Sequence, residues 1–212
     1  SPVTIYYSRS SWNPNPAPFF SLIAIFGFVK ARESRNFKWL ILSGAAVGIA
    51  VQMHYLAILL IPTLLILWTY EVLKRRPISN LLLGTLFGVL TFIIFISPLI
   101  WFDFRHNFLN YRAVTELLTK SDAVGGNLIG NIASIPQIFA QNLVGRYIVG
   151  ENLVLTAVIS MLVIVALFRK NWSIFCLGTW LFAGLLGVSF YQKDIYDHYL
   201  GFLNPVPFLL IG

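Results

Sequence analysis

The stretch Lys30-Ala31-Arg32-Glu33-Ser34-Arg35-Asn36-Phe37-Lys38 places four cations and one acid between two long apolar runs. Two shorter basic stretches, Lys74-Arg75-Arg76 and Arg169-Lys170, also lie between apolar segments. With Glu33 and Glu71 as their acidic neighbours, the three stretches account for the whole net charge of +7. Cytoplasmic loops of multi-pass membrane proteins concentrate Lys and Arg in this way. The pattern therefore predicts a membrane protein with these stretches at its cytoplasmic face.

The composition agrees with a helical membrane protein. Hydrophobic residues make up 58% of the chain and charged residues 11%, and the mean hydropathy is +0.77, which is unusual for a soluble domain. Because the net positive charge comes from short stretches between apolar runs, it does not indicate binding to nucleic acid. The single cysteine, Cys176, lies in an apolar stretch, so no disulfide framework is predicted.

The alternation of basic and neutral connections predicts an all-α, polytopic helical bundle with about seven spans. Basic connections are assigned to the cytoplasm and the others to the outer face. The predicted spans are residues 14–29, 39–53, 56–73, 78–98, 153–168 and 172–191, with a seventh that begins at Leu200. The chain starts with Ser-Pro and stops inside an apolar run. We therefore expect residues 1–212 to be part of one longer membrane domain.

Two of the predicted spans are short. Only 35 residues separate Lys38 from Lys74, and they must contain two crossings and a turn. Each crossing then has roughly 16 residues, about 24 Å long, whereas the hydrocarbon core is ~30 Å thick. We expect the turn at residues 52–55 to be recessed below the outer surface in a polar cavity. Local thinning of the bilayer or tilted neighbouring helices is the alternative.

Small residues predict close packing between two helices. Gly44 and Gly48 share one helical face, as do Gly84 and Gly88. Glycines four residues apart allow two helix backbones to approach each other within a membrane. This pattern indicates packing and carries no information about chemistry.

Residues 99–151 are predicted to form an external segment with two amphipathic helices along the outer interface. Apolar residues repeat at helical spacing in two groups: Tyr111, Val114, Leu117 and Leu118, then Leu128, Ile132, Ile135, Phe139 and Leu143. The pair Gly125-Gly126 separates the groups. Such helices either roof a cavity that opens to lipid or only connect two spans.

The predicted outer face holds the polar residues that could bind a ligand. They are Arg9 near the start, Gln52, His54 and Tyr55 in the short hairpin, Asp103 and Arg105 with His106, Asn110 and Arg112, and the run Lys193–Tyr199. A guanidinium such as that of Arg9 can donate two hydrogen bonds to a phosphate. Polar groups held at membrane depth are often functional because burying them unpaired is costly. The structural alternatives are a plain helix-entry loop at Arg9, a histidine bonded to backbone at His54, and mutual neutralisation of Asp103 and Arg105.

Three of these segments resemble one family of membrane enzymes. They are the run Tyr7–Asn15, the hairpin Gly48–Tyr55 and the segment Tyr196–Tyr199 ahead of Pro205. Together they resemble the GT-C superfamily of membrane glycosyltransferases, of the kind related to dolichyl-phosphate-mannose–protein mannosyltransferases and lipid A aminoarabinose transferases. The resemblance extends over essentially all 212 residues.

The resemblance implies an enzyme that takes a sugar from a polyprenyl-phosphate-linked donor. The sugar would pass to a lipid, glycan or protein acceptor on the non-cytoplasmic side, usually with inversion at the anomeric carbon. The localisation implied is the plasma (inner) membrane of a prokaryote, in contact with membrane lipids. The resemblance assigns the donor phosphate and sugar to Arg9, His54, Tyr55, His198 and Tyr199. Arg105 is a further donor of hydrogen bonds on the same predicted face, where charge develops on the leaving phosphate.

The catalytic residue is not assigned. In enzymes of this type an Asp or Glu in the first large external loop is the expected base, and we expect that loop to precede Ser1. No cofactor-binding motif occurs, and a divalent metal ion is left open because no cluster of acidic ligands is evident. Two other functions are compatible with a polytopic bundle. One is a secondary transporter or lipid flippase, which the scarcity of ionisable residues within the spans disfavours. The other is a non-catalytic membrane assembly subunit.

Overall fold

The computed structural model describes residues 5–6, 9, 13–74, 78–119 and 124–212, and these are predominantly helical. The main helices are α1 (Ala17–Ser34), α2 (Lys38–Met53), α3 (Leu60–Leu73), α4 (Ile78–Arg105), α5 (Leu109–Thr119), α6 (Leu128–Gln137), α7 (Leu153–Leu167), α8 (Trp172–Ser189) and α9 (Pro205–Ile211). Two 3₁₀ segments, Tyr55–Leu59 and Asp197–Leu203, lead into α3 and α9, and a π-helix, Ile138–Val149, continues α6. Among the described residues β-pairing is limited to an isolated antiparallel bridge between Val124 and Tyr191. The predicted all-α class is confirmed.

Three helical segments are long and apolar enough to cross a membrane: Tyr55–Leu73, Leu81–Arg105 and Trp172–Ser189. A fourth candidate is the pair Leu128–Val149 and Leu153–Leu167, which is bent by 114°. About seven spans were expected, and this number is not confirmed. Helices do form at the first two predicted spans, but α2 is short and α1 carries Lys30, Arg32 and Glu33 in its C-terminal half.

The predicted glycine contact joins α2 to α4. A Cβ atom on Gly44 would overlap the carbonyl group of Gly88, and one on Gly88 would lie 2.7 Å from the carbonyl oxygen of Leu40. A Cβ atom on Gly48 would lie 2.9 Å from the Cβ of Phe95 and 3.1 Å from the carbonyl oxygen of Phe92, both in α4. Toward the C-terminal end of α2, at the same interface, the Gln52 side-chain amide donates to the carbonyl oxygen of Phe95. The two helices therefore pack backbone against backbone, as expected for this motif.

The helix extends beyond the predicted span 78–98, because α4 continues through Pro98 to Arg105. Proline has no N–H to donate to the carbonyl group four residues earlier. The Ser97 hydroxyl instead donates to the carbonyl oxygen of Ile94 at 2.7 Å. A hydroxyl that replaces the missing donor is a known way for a membrane helix to tolerate proline.

Both predicted amphipathic helices form, as α5 and as α6 with its π-helical extension. The second is more than a surface connector, because Phe139, Leu143 and Val144 are buried in the core. Pro136 lies just before the change to the π-helical pattern. π-Helical turns are rare, and they occur frequently at functional sites.

An ion pair joins three helices at one end of the bundle. Arg32 of α1 donates from Nε to Glu71 Oε1 of α3 at 2.8 Å. The Arg32 guanidinium also lies 3.9 Å from the ring centroid of Trp172, the first residue of α8. The ends of α3 and α8 that lie near His54 and Tyr191 are therefore at the other end of the bundle, about 25 Å away for helices of this length. The predicted separation of the basic stretches from the polar residues agrees with this arrangement.

We expect Gly44→Ala to destabilise the protein, because its new methyl group must displace the backbone of α4. The cost should be about 1–3 kcal/mol, the usual range for overpacking a core. Gly178→Ala is the matched control, since its new Cβ meets only the tip of the Leu167 side chain, at 3.3 Å. It should be neutral or stabilising by up to ~1 kcal/mol, as for an ordinary helical glycine. Unfolding in detergent measures both, and equal stability of the two variants would contradict the packing.

Candidate functional site

His54 occupies the sharp turn at which α2 ends. Its backbone is extended, with φ −155° and ψ 123°, and its N–H donates to the carbonyl oxygen of Ala50 at 2.9 Å. The Nδ1 atom accepts the N–H of Leu56 at 3.3 Å and so caps the following 3₁₀ segment. Because Nδ1 is an acceptor, we infer that the neutral ring carries its proton on Nε2. The side chain is 8% exposed, whereas Tyr55 beside it is half exposed, so only the histidine is recessed.

The hairpin turn meets the segment that precedes α9, although the two lie far apart in the sequence. The His54 ring is stacked on Tyr55 at 4.7 Å between centroids, and its centroid lies 5.2 Å from that of His198 and 5.5 Å from that of Tyr199. Tyr199 is also in ring contact with its neighbours at 5.5 Å for Tyr191 and 5.6 Å for Tyr196. We call these six residues the imidazole–tyrosine cluster: His54, Tyr55, Tyr191, Tyr196, His198 and Tyr199.

An arginine on the π-helix holds the second half of this cluster in place. Arg146 donates to the carbonyl oxygen of Ile195 at 3.3 Å. It also lies near two carboxylates, at 3.6 Å from Asp197 Oδ1 and 3.8 Å from Glu151 Oε1. These contacts fix the backbone immediately before His198. The positive charge of Arg146 is therefore largely matched by acids of the protein.

Both histidines of the cluster favour the neutral form. Burial, followed by the charge of His198, lowers the pKa of His54 to about 4. Burial also lowers the pKa of His198, against the opposing effect of Asp197. Burial raises the pKa of Tyr199, and a hydrogen bond to Tyr199 raises that of Tyr191. At neutral pH the cluster thus offers uncharged imidazole and phenol groups, which donate hydrogen bonds without adding positive charge.

A polar cavity of about 510 Å³ adjoins the cluster at Tyr191. Its walls are rich in side-chain amides and hydroxyls: Asn127, Asn131, Ser134, Gln137, Asn142, Ser189 and Gln192. We call it the amide cavity. Asn131, only 3% exposed, donates to the carbonyl oxygen of Gly125 at 2.9 Å and accepts from Gln192 at 3.1 Å. This bonding ties α6 to the segment that follows α8.

The structure does not bring all the predicted site residues together. His54, Tyr55, His198 and Tyr199 meet in the cluster. Arg9 is exposed in a turn, where its N–H donates to the carbonyl oxygen of Tyr6 at 3.3 Å. Arg105 is exposed at the end of α4. In the described part of the chain, no hydrogen bond, ion pair or ring contact joins either arginine to the cluster. The neighbours of Arg9 at positions 7–8 and 10–12 lie outside the described residues.

Asp103 has a structural role that differs from the expected neutralisation of Arg105. Its carboxylate accepts the N–H groups of Asn110 at 2.6 Å and Tyr111 at 3.2 Å. These are among the first N–H groups of α5, which have no partner within the helix. The left-handed residues Asn107 and Phe108 provide the turn that makes this cap possible.

Sequence reasoning missed Arg146 and the amide cavity. Arg146 lies far from Asp197 in the sequence, so nothing in the sequence indicates their contact. The cavity residues Asn131, Ser134 and Gln137 lie between the apolar positions of the second amphipathic helix, where polar residues are expected whether or not they line a cavity. Within the described residues, no group of three or more His, Cys, Asp or Glu side chains is placed to hold a metal ion.

The apolar helices and the polar cluster at one end indicate a multi-pass membrane protein. A family model described as dolichyl-phosphate-mannose-protein mannosyltransferase matches residues 1–101, just under half of the chain. The match confirms the resemblance over this part, which includes Arg9, His54 and Tyr55, and it supports glycosyltransferase activity in general. The motif Tyr196–Tyr199 lies beyond it. No curated protein and no solved structure matched the chain significantly.

We expect the stability of the protein to fall on acidification because of His54. Its pKa in the folded protein lies below the ordinary value of 6.5, so protonation favours the unfolded state. The stabilisation is complete above pH 6.5 and is lost as the pH falls toward about 4, with a slope of at most about 1.4 kcal/mol per pH unit. His54→Asn keeps an acceptor for Leu56 and should remove this slope, whereas His106→Asn, at an exposed site, should not. Unfolding midpoints at pH 7.5 and pH 5 would measure it, and parallel slopes for wild type and His54→Asn would contradict it.

Proposed function

We propose that the chain is part of a GT-C membrane glycosyltransferase that uses a polyprenyl-phosphate-linked sugar. The observation that carries the proposal is the contact of His54 and Tyr55 with His198 and Tyr199. This contact joins polar residues of the family-matched part to residues near position 200. It lies at the end of the bundle opposite the basic stretches. By the distribution of positive charge, that end faces the non-cytoplasmic side of a prokaryotic plasma membrane.

In the proposed reaction the bond between the anomeric carbon and the phosphate oxygen of the donor breaks. A new bond forms between that carbon and an acceptor atom on a lipid, a glycan or a protein, and the lipid phosphate leaves. Negative charge then develops on the phosphate oxygens, where preorganised hydrogen-bond donors stabilise it. The Nε2–H of His54 and the hydroxyl of Tyr199 are suited to this role. At neutral pH the imidazole keeps its one N–H and the phenol its O–H, and both groups are uncharged. The base that takes the acceptor's proton is not assigned to any residue of this chain.

The amide cavity is the proposed place for the sugar. Asn, Gln and Ser side chains both donate and accept hydrogen bonds, as sugar hydroxyls do. The cavity adjoins the cluster through Tyr191, so a donor with its phosphate at the cluster could place its sugar against the amides. The volume of about 510 Å³ leaves room for a sugar and its water molecules.

We expect Tyr199→Phe to reduce transfer on the order of tenfold, because it removes one hydrogen bond to a charged group. The assay incubates the membrane-embedded full-length protein with a panel of radiolabelled polyprenyl-phosphate sugars. Tyr111→Phe is the matched control, since Tyr111 is 65% exposed on α5, and it should keep wild-type activity. Absence of transfer from every donor by the wild type would refute the proposal. Substrate counterflow in proteoliposomes would instead favour a transporter or flippase.

We expect Arg9 to supply positive charge to the donor phosphate. Arg9→Ala should weaken donor binding by about 1.5–3 kcal/mol, the range for a charge-assisted hydrogen bond, and Arg9→Lys should recover only part of this loss because an ammonium lacks the planar fork. Donor binding is measured for Arg9→Ala, His198→Ala and the double variant. Non-additive losses are expected if both residues hold one ligand. Strictly additive losses, or none, would show that they do not share it.

A further inference from the structure

One cavity that the proposed function leaves unused lies at the end of the bundle that carries the Arg32–Glu71 pair. Its volume is about 730 Å³. The ends of α3 and α7 and the start of α8 enclose it, with Arg32, Tyr70, Arg169, Lys170 and Trp172 at the polar end. It lies at the opposite ends of α3 and α8 from the imidazole–tyrosine cluster, so it is a separate site.

The polar end of this cavity has an excess of positive charge. Arg32 is already matched by Glu71 and held against the face of Trp172. Arg169 and Lys170 are exposed, and in the described ranges no acidic side chain lies within 4 Å of either one. The three cations Arg32, Arg169 and Lys170 and the single acid Glu71 leave a net charge of two positive charges. The N-terminus of α8, an 18-residue helix, adds the positive end of its dipole at the same place.

The rest of the cavity is apolar and opens sideways. Ile66, Phe175 and Phe182 line it and are between 38% and 55% exposed. They belong to helical segments that are long and apolar enough to cross a membrane, so their exposed sides face lipid chains. Gly178 forms part of the wall, and its lack of a side chain leaves an open groove, with only the tip of Leu167 nearby.

We propose that this groove binds an anionic phospholipid. Its phosphate would lie between Arg169 and Lys170 beside the N-terminus of α8, and its acyl chains would follow the apolar wall past Gly178. A cationic end joined to an apolar groove that is open to the bilayer fits a molecule with a charged head and long chains. A free phosphate would use only the polar end, and a neutral lipid would gain nothing from the two unmatched cations. Basic pockets at helix ends recognise anionic lipids by the same chemistry.

The test measures binding of phosphatidylglycerol and of phosphatidylcholine with the same acyl chains to the full-length protein in a zwitterionic detergent, by native mass spectrometry. Phosphatidylglycerol should bind more tightly. The double variant Arg169→Gln/Lys170→Gln should lose at least roughly tenfold in affinity for it, as two charge-assisted contacts would predict. The matched control is Lys30→Gln/Lys38→Gln, which removes the same charge from the same end of the bundle outside the cavity, and it should bind as the wild type does. Equal loss in both double variants would mean general charge attraction and would overturn the site.

Further measurements distinguish an anionic phospholipid from a free phosphate and from a polyprenyl phosphate. Gly178→Leu fills the groove without a change in charge and should weaken phosphatidylglycerol binding, provided that the variant keeps the thermal stability of the wild type. If it is unstable, Thr179→Leu in the same wall replaces it. Full competition by millimolar glycerol 3-phosphate would show a free-phosphate site. Preferential displacement by a polyprenyl phosphate would show a second donor-lipid site, and either result would overturn the assignment to a membrane phospholipid.

Discussion

A carboxylate buried in an apolar bundle must be paired, and the pairing of Glu71 with Arg32 organises the rest of this structure. Glu71 is 4% exposed at its side chain, and Arg32 reaches it from α1 at 2.8 Å. Removing one partner of such a pair leaves an uncompensated charge and is strongly destabilising. Because Arg32 also packs on Trp172, a single side chain sets the relative positions of α1, α3 and α8. The opposite ends of α3 and α8 are then held near each other, and the imidazole–tyrosine cluster forms there.

The charge pattern predicted this two-ended organisation well. The basic residues around Arg32 and at Arg169 and Lys170 lie at the opposite ends of α3 and α8 from the imidazole–tyrosine cluster. The glycine pairs also predicted their packing, since two backbones can meet only where side chains are absent. The meeting of His54 with His198 is less obvious from the sequence. It follows once both residues lie in connections at one end of a bundle, but which connections touch depends on how the helices are arranged.

Other features depend on contacts between distant residues and could not be predicted. The predicted span stops at Pro98, but the helix runs on because the neighbouring Ser97 hydroxyl replaces the donor that proline lacks. The amide cavity arises where α6 meets Gln192, which lies 61 positions from Asn131 in the sequence. Arg146 reaches Asp197 only through the fold of the π-helix. The number of spans is not settled by hydropathy, which marks apolar runs, whereas a run bent by 114° can be one span or two shorter pieces.

The electrostatics of the cluster constrain how it could hold a lipid phosphate. His54 is neutral at physiological pH, and the tyrosines add only hydroxyl groups. Arg146 contacts the segment before His198. It lies within 4 Å of two carboxylates, so it adds little net positive charge. A phosphate bound at the cluster therefore needs a cation from another element. Arg105 ends α4, which packs on α2, whereas Arg9 lies within the family-matched part and eight positions before the first residue of α1. Because α1 packs against the 3₁₀ segment Asp197–Leu203, we propose Arg9, which precedes α1 in the sequence, as the source of that permanent positive charge.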